Sequence, residues 1–151
     1  MKALVTALFA VAVVGIHQPP ADAQATTLDR CISVIASDVA NYFGDTAACS
    51  SQCEARIAKG ELGAGTTCSF PSSDPKTQTC LLAASEKMIG SRSSARRACT
   101  DREIELFFGG SVTCPGENAT VDQIIGCLKA QAEFFANDFV RQAYRPKFTV
   151  Q

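Results

Sequence analysis

Histidine is almost absent from this sequence: the chain of 151 residues has one, His17, close to its N-terminus. The remainder cannot build a serine–histidine or cysteine–histidine nucleophile, and it cannot ligate a metal through imidazole. No Cys-x-x-Cys pair is present, which argues against a zinc site. No Gly-Lys-Ser/Thr follows the glycine-rich stretches, which argues against a phosphate-binding loop. We therefore expect no metal and no cofactor.

Paired carboxylates are the remaining route to catalysis. Asp101 and Glu105 are four residues apart and can share one face of a helix. Arg102 lies between them, so the stretch is more typical of a solvated, charge-paired face than of an acid–base pair. We expect a protein that is not an enzyme.

Long apolar runs are also missing, with one exception at the N-terminus. Lys2 precedes the apolar stretch ALVTALFAVAVVGI, and small residues follow in ADAQA. This pattern predicts a secretory signal peptide over 1–24, cleaved between 23 and 25; a short membrane anchor is the alternative. We expect a single domain over 25–146, a C-terminal tail over 147–151 and a secreted, extracellular protein without stable membrane insertion.

Charge of either sign is not in excess, because the formal net charge is −1. This balance gives no reason to expect nucleic acid as a partner. Basic residues nevertheless cluster in RSSARRACTDR, where Arg92, Arg96, Arg97 and Arg102 form a possible patch for a partner. The alternative is a solvated face.

Cysteine is abundant. All eight cysteines lie beyond the predicted signal, and an even number in a secreted chain predicts four disulfides. They are Cys31, Cys49, Cys53, Cys68, Cys80, Cys99, Cys114 and Cys127.

The cysteine spacing suggests an internal repeat. CEARIAKGELGAGTTC and CTDREIELFFGGSVTC each enclose fourteen residues between cysteines, and the shift between the two stretches is close to that between Cys80 and Cys127. A period of about 47 residues predicts about two and a half copies of a helical hairpin. Repeat logic then favours four pairings: Cys31–Cys53, Cys80–Cys99, Cys68–Cys114 and Cys49–Cys127.

The hydrophobic periodicity predicts an all-α protein, a disulfide-stapled bundle of five helices. The helices are expected at 27–44, 45–60, 75–90, 93–109 and 120–144. Glycines are expected to end four of them, at Gly44, Gly60, Gly90 and Gly109. Asp74 with Pro75 predicts the start of the third helix, and a Thr120/Gln123 capping box predicts the start of the last.

The last predicted helix is apolar on two sides. Its main stripe includes Phe135 and Phe139, while Phe134 lies on the far side of the cylinder. We expect neighbouring helices to enclose it; the alternative is that Phe134, Phe135 and Phe139 contact a bound apolar ligand.

Asn118-Ala119-Thr120 is an N-glycosylation sequon on a predicted loop. We predict that Asn118 can carry a glycan, which would make the secreted protein a glycoprotein.

The Cys49-x-x-x-Cys53 pair on a helix resembles that of insect odorant-binding proteins, which are helical and disulfide-linked. Their later cysteine pair, with eight residues between, has no counterpart here. Small helical elicitins of water moulds have different spacings as well, so the chain is assigned to neither family. The resemblance implies only that a disulfide-tied helical shell can enclose an apolar ligand.

Two functions follow as expectations. The first is a secreted binding protein that presents a rigid helical surface to an extracellular protein partner. The second is a carrier of a small apolar ligand, such as a lipid, a pheromone or a sterol-like molecule, in a helical cavity.

Overall fold

The computed structural model describes residues 27–109, 114 and 118–144. The predicted signal peptide over 1–24 and the predicted tail over 147–151 lie outside the described residues. Within them the protein is all-helical and carries four disulfides. The helices are α1 (Thr27–Ala58), α2 (Pro75–Ile89), α3 (Ser94–Ala98), α4 (Asp101–Phe108) and α5 (Val121–Tyr144). Because α3 has only five residues, the described chain has four substantial helices, and the prediction of a five-helix bundle is not confirmed.

The first two predicted helices are one continuous helix. Gly44 was expected to end a helix and Asp45 to begin the next, but α1 passes through both. Gly44 is exposed, and a Cβ atom there would meet nothing within 4 Å. A glycine inside a helix costs about 1 kcal/mol. The packing of α1 against both α2 and α5 offsets this cost.

Gly60 does end α1, as predicted. Its φ of 73° lies in the left-handed region that glycine adopts without strain. The Gly60 N–H then donates to the carbonyl of Ile57 and the Glu61 N–H donates to the carbonyl of Arg56. The last carbonyls of α1 are satisfied in this way.

Asp74 caps α2 and also ties it to α1. Its carboxylate accepts hydrogen bonds from the backbone N–H and hydroxyl of Thr77, at 2.9 and 2.7 Å, and from Arg56 at 2.8 Å. The Thr77 bonds, together with the charge of Arg56, lower the pKa of Asp74 below its ordinary value. The predicted start of α2 at Asp74-Pro75 is confirmed.

The fourth predicted helix is interrupted at Cys99 and Thr100. Thr100 forms a capping box with Glu103 at the start of α4. Hydrogen bonds from the Thr100 backbone N–H and hydroxyl lower the pKa of Glu103. These capping hydrogen bonds favour a new helix that begins after Thr100 over one helix that continues through Cys99.

The start of α5 is held by a capping box and by α4. Thr120 and Gln123 exchange the two predicted hydrogen bonds, at 2.9 and 3.3 Å. The Val121 N–H donates to the carboxylate of Asp101 at 2.8 Å. Asp101 therefore joins the starts of α4 and α5, which is the role the structure assigns to it.

The core lies where α1 crosses α5 and α2. Its fully buried members include Leu81, Ile104, Ile124 and Ile125, with Tyr42 almost as deep. Burial of such side chains contributes about 1.5–3 kcal/mol each. The core therefore holds the helix pairs that form the candidate site.

The four disulfides differ from every predicted pairing. They are Cys31–Cys99, Cys49–Cys80, Cys53–Cys68 and Cys114–Cys127. The predictions Cys31–Cys53, Cys80–Cys99, Cys68–Cys114 and Cys49–Cys127 are therefore wrong. Because α1 is continuous, Cys31 and Cys53 lie six turns apart on one helix and cannot meet.

The predicted hairpin repeat is not confirmed. Cys53 and Cys68, the ends of the first of the two similar stretches, bond each other. Cys99 and Cys114, the ends of the second stretch, bond Cys31 and Cys127 instead. The cysteine spacing repeats along the chain, but the pairing does not.

Candidate functional site: an apolar groove between α1, α4 and α5

An apolar groove of about 750 Å³ opens between α1, α4 and α5. The wall from α1 is a stripe at helical spacing, made of Ile32, Ile35, Ala36, Val39, Ala40 and Phe43. The wall from α5 is a second stripe, made of Leu128, Gln131, Ala132 and Phe135. The end of α4 contributes Phe107 and Phe108.

The groove has a buried floor and an exposed rim. Ile35 and Ala132 are buried and belong to the main core. Phe107 and Phe135 are 51% and 60% exposed. The groove is therefore continuous with the core on one side and open to solvent on the other.

None of the described residues that line the groove carries a charge. The polar side chain among them is Gln131, whose amide nitrogen lies 3.5 Å from Cys114 Sγ and 3.8 Å from Cys127 Sγ. The Cys114–Cys127 disulfide therefore contacts the amide of Gln131 in the groove wall.

The aromatic side chains predicted as ligand contacts differ in their relation to the groove. Phe135 lines it directly. Phe139 packs against the groove residue Phe43, with ring centroids 6.3 Å apart and ring planes tilted by 55°, and Phe134 meets Phe135 edge-on, with ring centroids 5.6 Å apart. Enclosure of α5 by neighbours on both sides was the expectation; it is wrong for these three rings, which are all at least 60% exposed.

Sequence reasoning missed the other two walls of the groove. The apolar residues of α1 recur at a 3.6-residue period, but that period is equally typical of a helix face packed in a core. Phe107 and Phe108 lie directly before Gly109, where the predicted helix ends. Their adjacency was the only signal that could have drawn attention to them.

The four arginines of the predicted partner patch are all exposed but do not act as one cationic surface. Arg96 forms a 2.8 Å ion pair with Asp122. Arg92 lines a separate polar pocket of about 320 Å³, whose walls also hold Asp38, Asp45 and Glu86. Arg97 and Arg102 project from α3 and α4 into solvent. Much of the positive charge is therefore offset by nearby carboxylates.

A partly buried polar cluster lies where α1, α5 and the loop after α1 meet. The Tyr42 hydroxyl donates to Glu133 at 3.2 Å, and Lys129 pairs with Glu133 at 3.1 Å above the rings of Tyr42 and Phe70. Burial raises the pKa of Tyr42. Burial opposes the charge on Lys129, but its contacts with Glu133 and Tyr42 outweigh this and raise its pKa. The group is satisfied internally and has a packing role.

Asn118 lies on the loop before α5. Its side chain is exposed and its φ is 54°. The third residue of the sequon, Thr120, belongs to the capping box of α5. Glycosylation of Asn118 stays a prediction.

The described residues include no group of three or more potential metal ligands. None of the described helices is both long and apolar enough to cross a bilayer.

Comparison of the chain with protein-family models, with curated proteins and with solved structures found no match.

Proposed function

We propose that this is a secreted, non-enzymatic protein that binds a small apolar ligand in the groove between α1, α4 and α5. The observation that carries the proposal is the groove itself, with its uncharged lining. Small-molecule sites have volumes of about 300–1,000 Å³ and are lined mainly by hydrophobic and aromatic side chains. The volume of about 750 Å³ and the lining both fall in that class.

The exposed rings strengthen the proposal. Soluble proteins seldom leave several aromatic side chains together in water unless the patch binds something. Phe107, Phe135 and Phe139 are each at least half exposed, and each lines the groove or contacts a ring that does. A ligand that covers them would remove apolar surface from water and gain binding free energy.

Export fits this proposal. Four disulfides and an N-terminal apolar run are typical of a chain that folds in an oxidising compartment. A glycan on Asn118 would extend from an exposed loop. The rigid, cross-linked helices would keep the groove open in the absence of ligand, which lowers the ordering cost of binding.

Presentation of a rigid surface to an extracellular protein partner is the second candidate. It is favoured by the exposure of Arg97 and Arg102. The carboxylates beside Arg92 and Arg96 weaken it, because they reduce the attraction of this face for an acidic partner.

Phe135 and Phe134 offer a matched test of the groove. The protein is titrated with the uncharged fluorescent dye N-phenyl-1-naphthylamine, and a saturable one-to-one signal is expected. Phe135→Ser should weaken dye binding about tenfold, because it removes the phenyl ring, and with it apolar contact area, from the groove wall. Phe134→Ser removes the neighbouring ring, which is 68% exposed and does not line the groove, and should change the affinity less than twofold.

Two results would count against the proposal. One is the absence of saturable dye binding by protein whose four disulfides are intact. The other is an equal loss of affinity in the two variants, which would assign the signal to general surface hydrophobicity.

A further inference from the structure

The charge distribution of the surface defines the class of ligand. We infer that the groove selects an uncharged ligand, an ester, alcohol or hydrocarbon, over an anionic amphiphile of the same chain length; this rests on the proposed function. Two features support this: the described lining of the groove is uncharged, and several charged residues on the same helices form hydrogen bonds or ion pairs away from it.

The three helices of the groove carry many charged residues, but the described contacts hold several of them elsewhere. On α1, Asp38 accepts a hydrogen bond from the Ala95 N–H. On α5, Lys129 and Glu133 pair with each other beside Tyr42. On α4, Glu103 closes the capping box with Thr100. The groove is therefore left with an uncharged wall.

The polar pocket provides an internal comparison. It lies on the other side of α1, between α1, α2 and the start of α3, and gathers three acidic and two basic side chains around about 320 Å³. The protein thus has a charged concavity and an uncharged one, and the uncharged one is more than twice as large.

A carboxylate in the groove would have no cationic partner among the described residues that line it. Burial of an ionised group without such a partner is costly, so the headgroup would have to stay in water and withdraw part of its chain from the groove. A neutral headgroup has no such restriction.

The volume argues for a small molecule as occupant rather than a macromolecule. About 750 Å³ is a complete small-ligand site, and the exposed ring of Phe139, which contacts the groove residue Phe43, continues one wall outwards. A second copy of this chain seated on the rings is an outcome that the experiment below detects.

The test compares cis-parinaric acid with its methyl ester, which share one fluorescent chain and differ in charge. Wild-type protein at pH 7.4 should bind the ester at least about tenfold more tightly than the acid. Ala36→Lys places an ammonium group at an exposed position in the groove wall and should reduce that ratio to about threefold or less. Ala83→Lys adds the same charge at an exposed position on α2, away from the groove, and should leave the ratio unchanged.

Each outcome has one meaning. Equal or tighter binding of the acid by wild-type protein overturns this inference and leaves the proposed function standing. Binding of neither ligand by the folded protein overturns both. Sedimentation of the same samples completes the test: a dimer that dissociates when ester is added would assign the groove to a second copy and overturn the inference.

Discussion

Ala40→Trp is expected to weaken binding of N-phenyl-1-naphthylamine by about fiftyfold. Ala40 is exposed on α1 and lines the groove, so an indole there occupies space that the ligand would fill. Exclusion of about three methylene equivalents of ligand at ~0.8 kcal/mol each accounts for a loss of this size. Fluorescence titration measures it directly.

Ala48→Trp is the matched control, because Ala48 is exposed on the same helix and does not line the groove. It should bind the dye as the wild type does, and both variants should show wild-type helix content by circular dichroism. Undiminished binding by Ala40→Trp would contradict the assignment of the site to this groove.

Removal of the Cys31–Cys99 disulfide should destabilise the protein by about 4 kcal/mol. This bond closes a loop with a sequence separation of 68, the longest of the four, and loop-closure entropy grows with loop length. It also ties the first half of α1 to the segment that leads into α4, and both helices line the groove. The Cys31→Ala/Cys99→Ala double variant, unfolded in urea, gives the change in the free energy of unfolding.

The comparison variant is Cys114→Ala/Cys127→Ala. That disulfide has a sequence separation of 13, and its removal should cost about 3 kcal/mol. A larger loss in this variant than in the first would contradict the entropic account. Peptide mapping without reduction, which checks the four pairings, would contradict the structure if it found Cys31 bonded to Cys53.

The parts of the fold that depend only on residues close together in the sequence could be predicted. Asp74 with Pro75, and Thr120 with Gln123, begin α2 and α5 as expected, because a helix cap is made by side chains within three residues of one another. Gly60 ends α1 for a similarly local reason.

The parts that depend on tertiary packing could not be predicted. Gly44 has a low helix propensity, and it is helical here because α1 packs against both α2 and α5. The predicted disulfides followed from a repeat in the spacing, whereas the observed ones follow from which helices are adjacent. The predicted end of a helix at Gly44 would have let the chain fold back and bring Cys31 near Cys53, which a continuous α1 prevents.

The candidate site was predicted in part. Phe135 was named for its place on α5, and it lines the groove. The periodicity places Phe134 on a different side of α5 from Phe135, but it does not say which side faces a groove, because that depends on the positions of α1 and α4. Ala36 and Ala40 give no sequence signal at all, since a small apolar residue on a helix stripe is equally typical of a core.

Native mass spectrometry of the protein purified from its natural source tests the central claim most directly. The account predicts a population heavier than the disulfide-bonded chain by one small molecule, which organic extraction removes and identifies as uncharged and apolar. A spectrum that contains only the bare chain, from a preparation that also fails to take up N-phenyl-1-naphthylamine, would contradict the account.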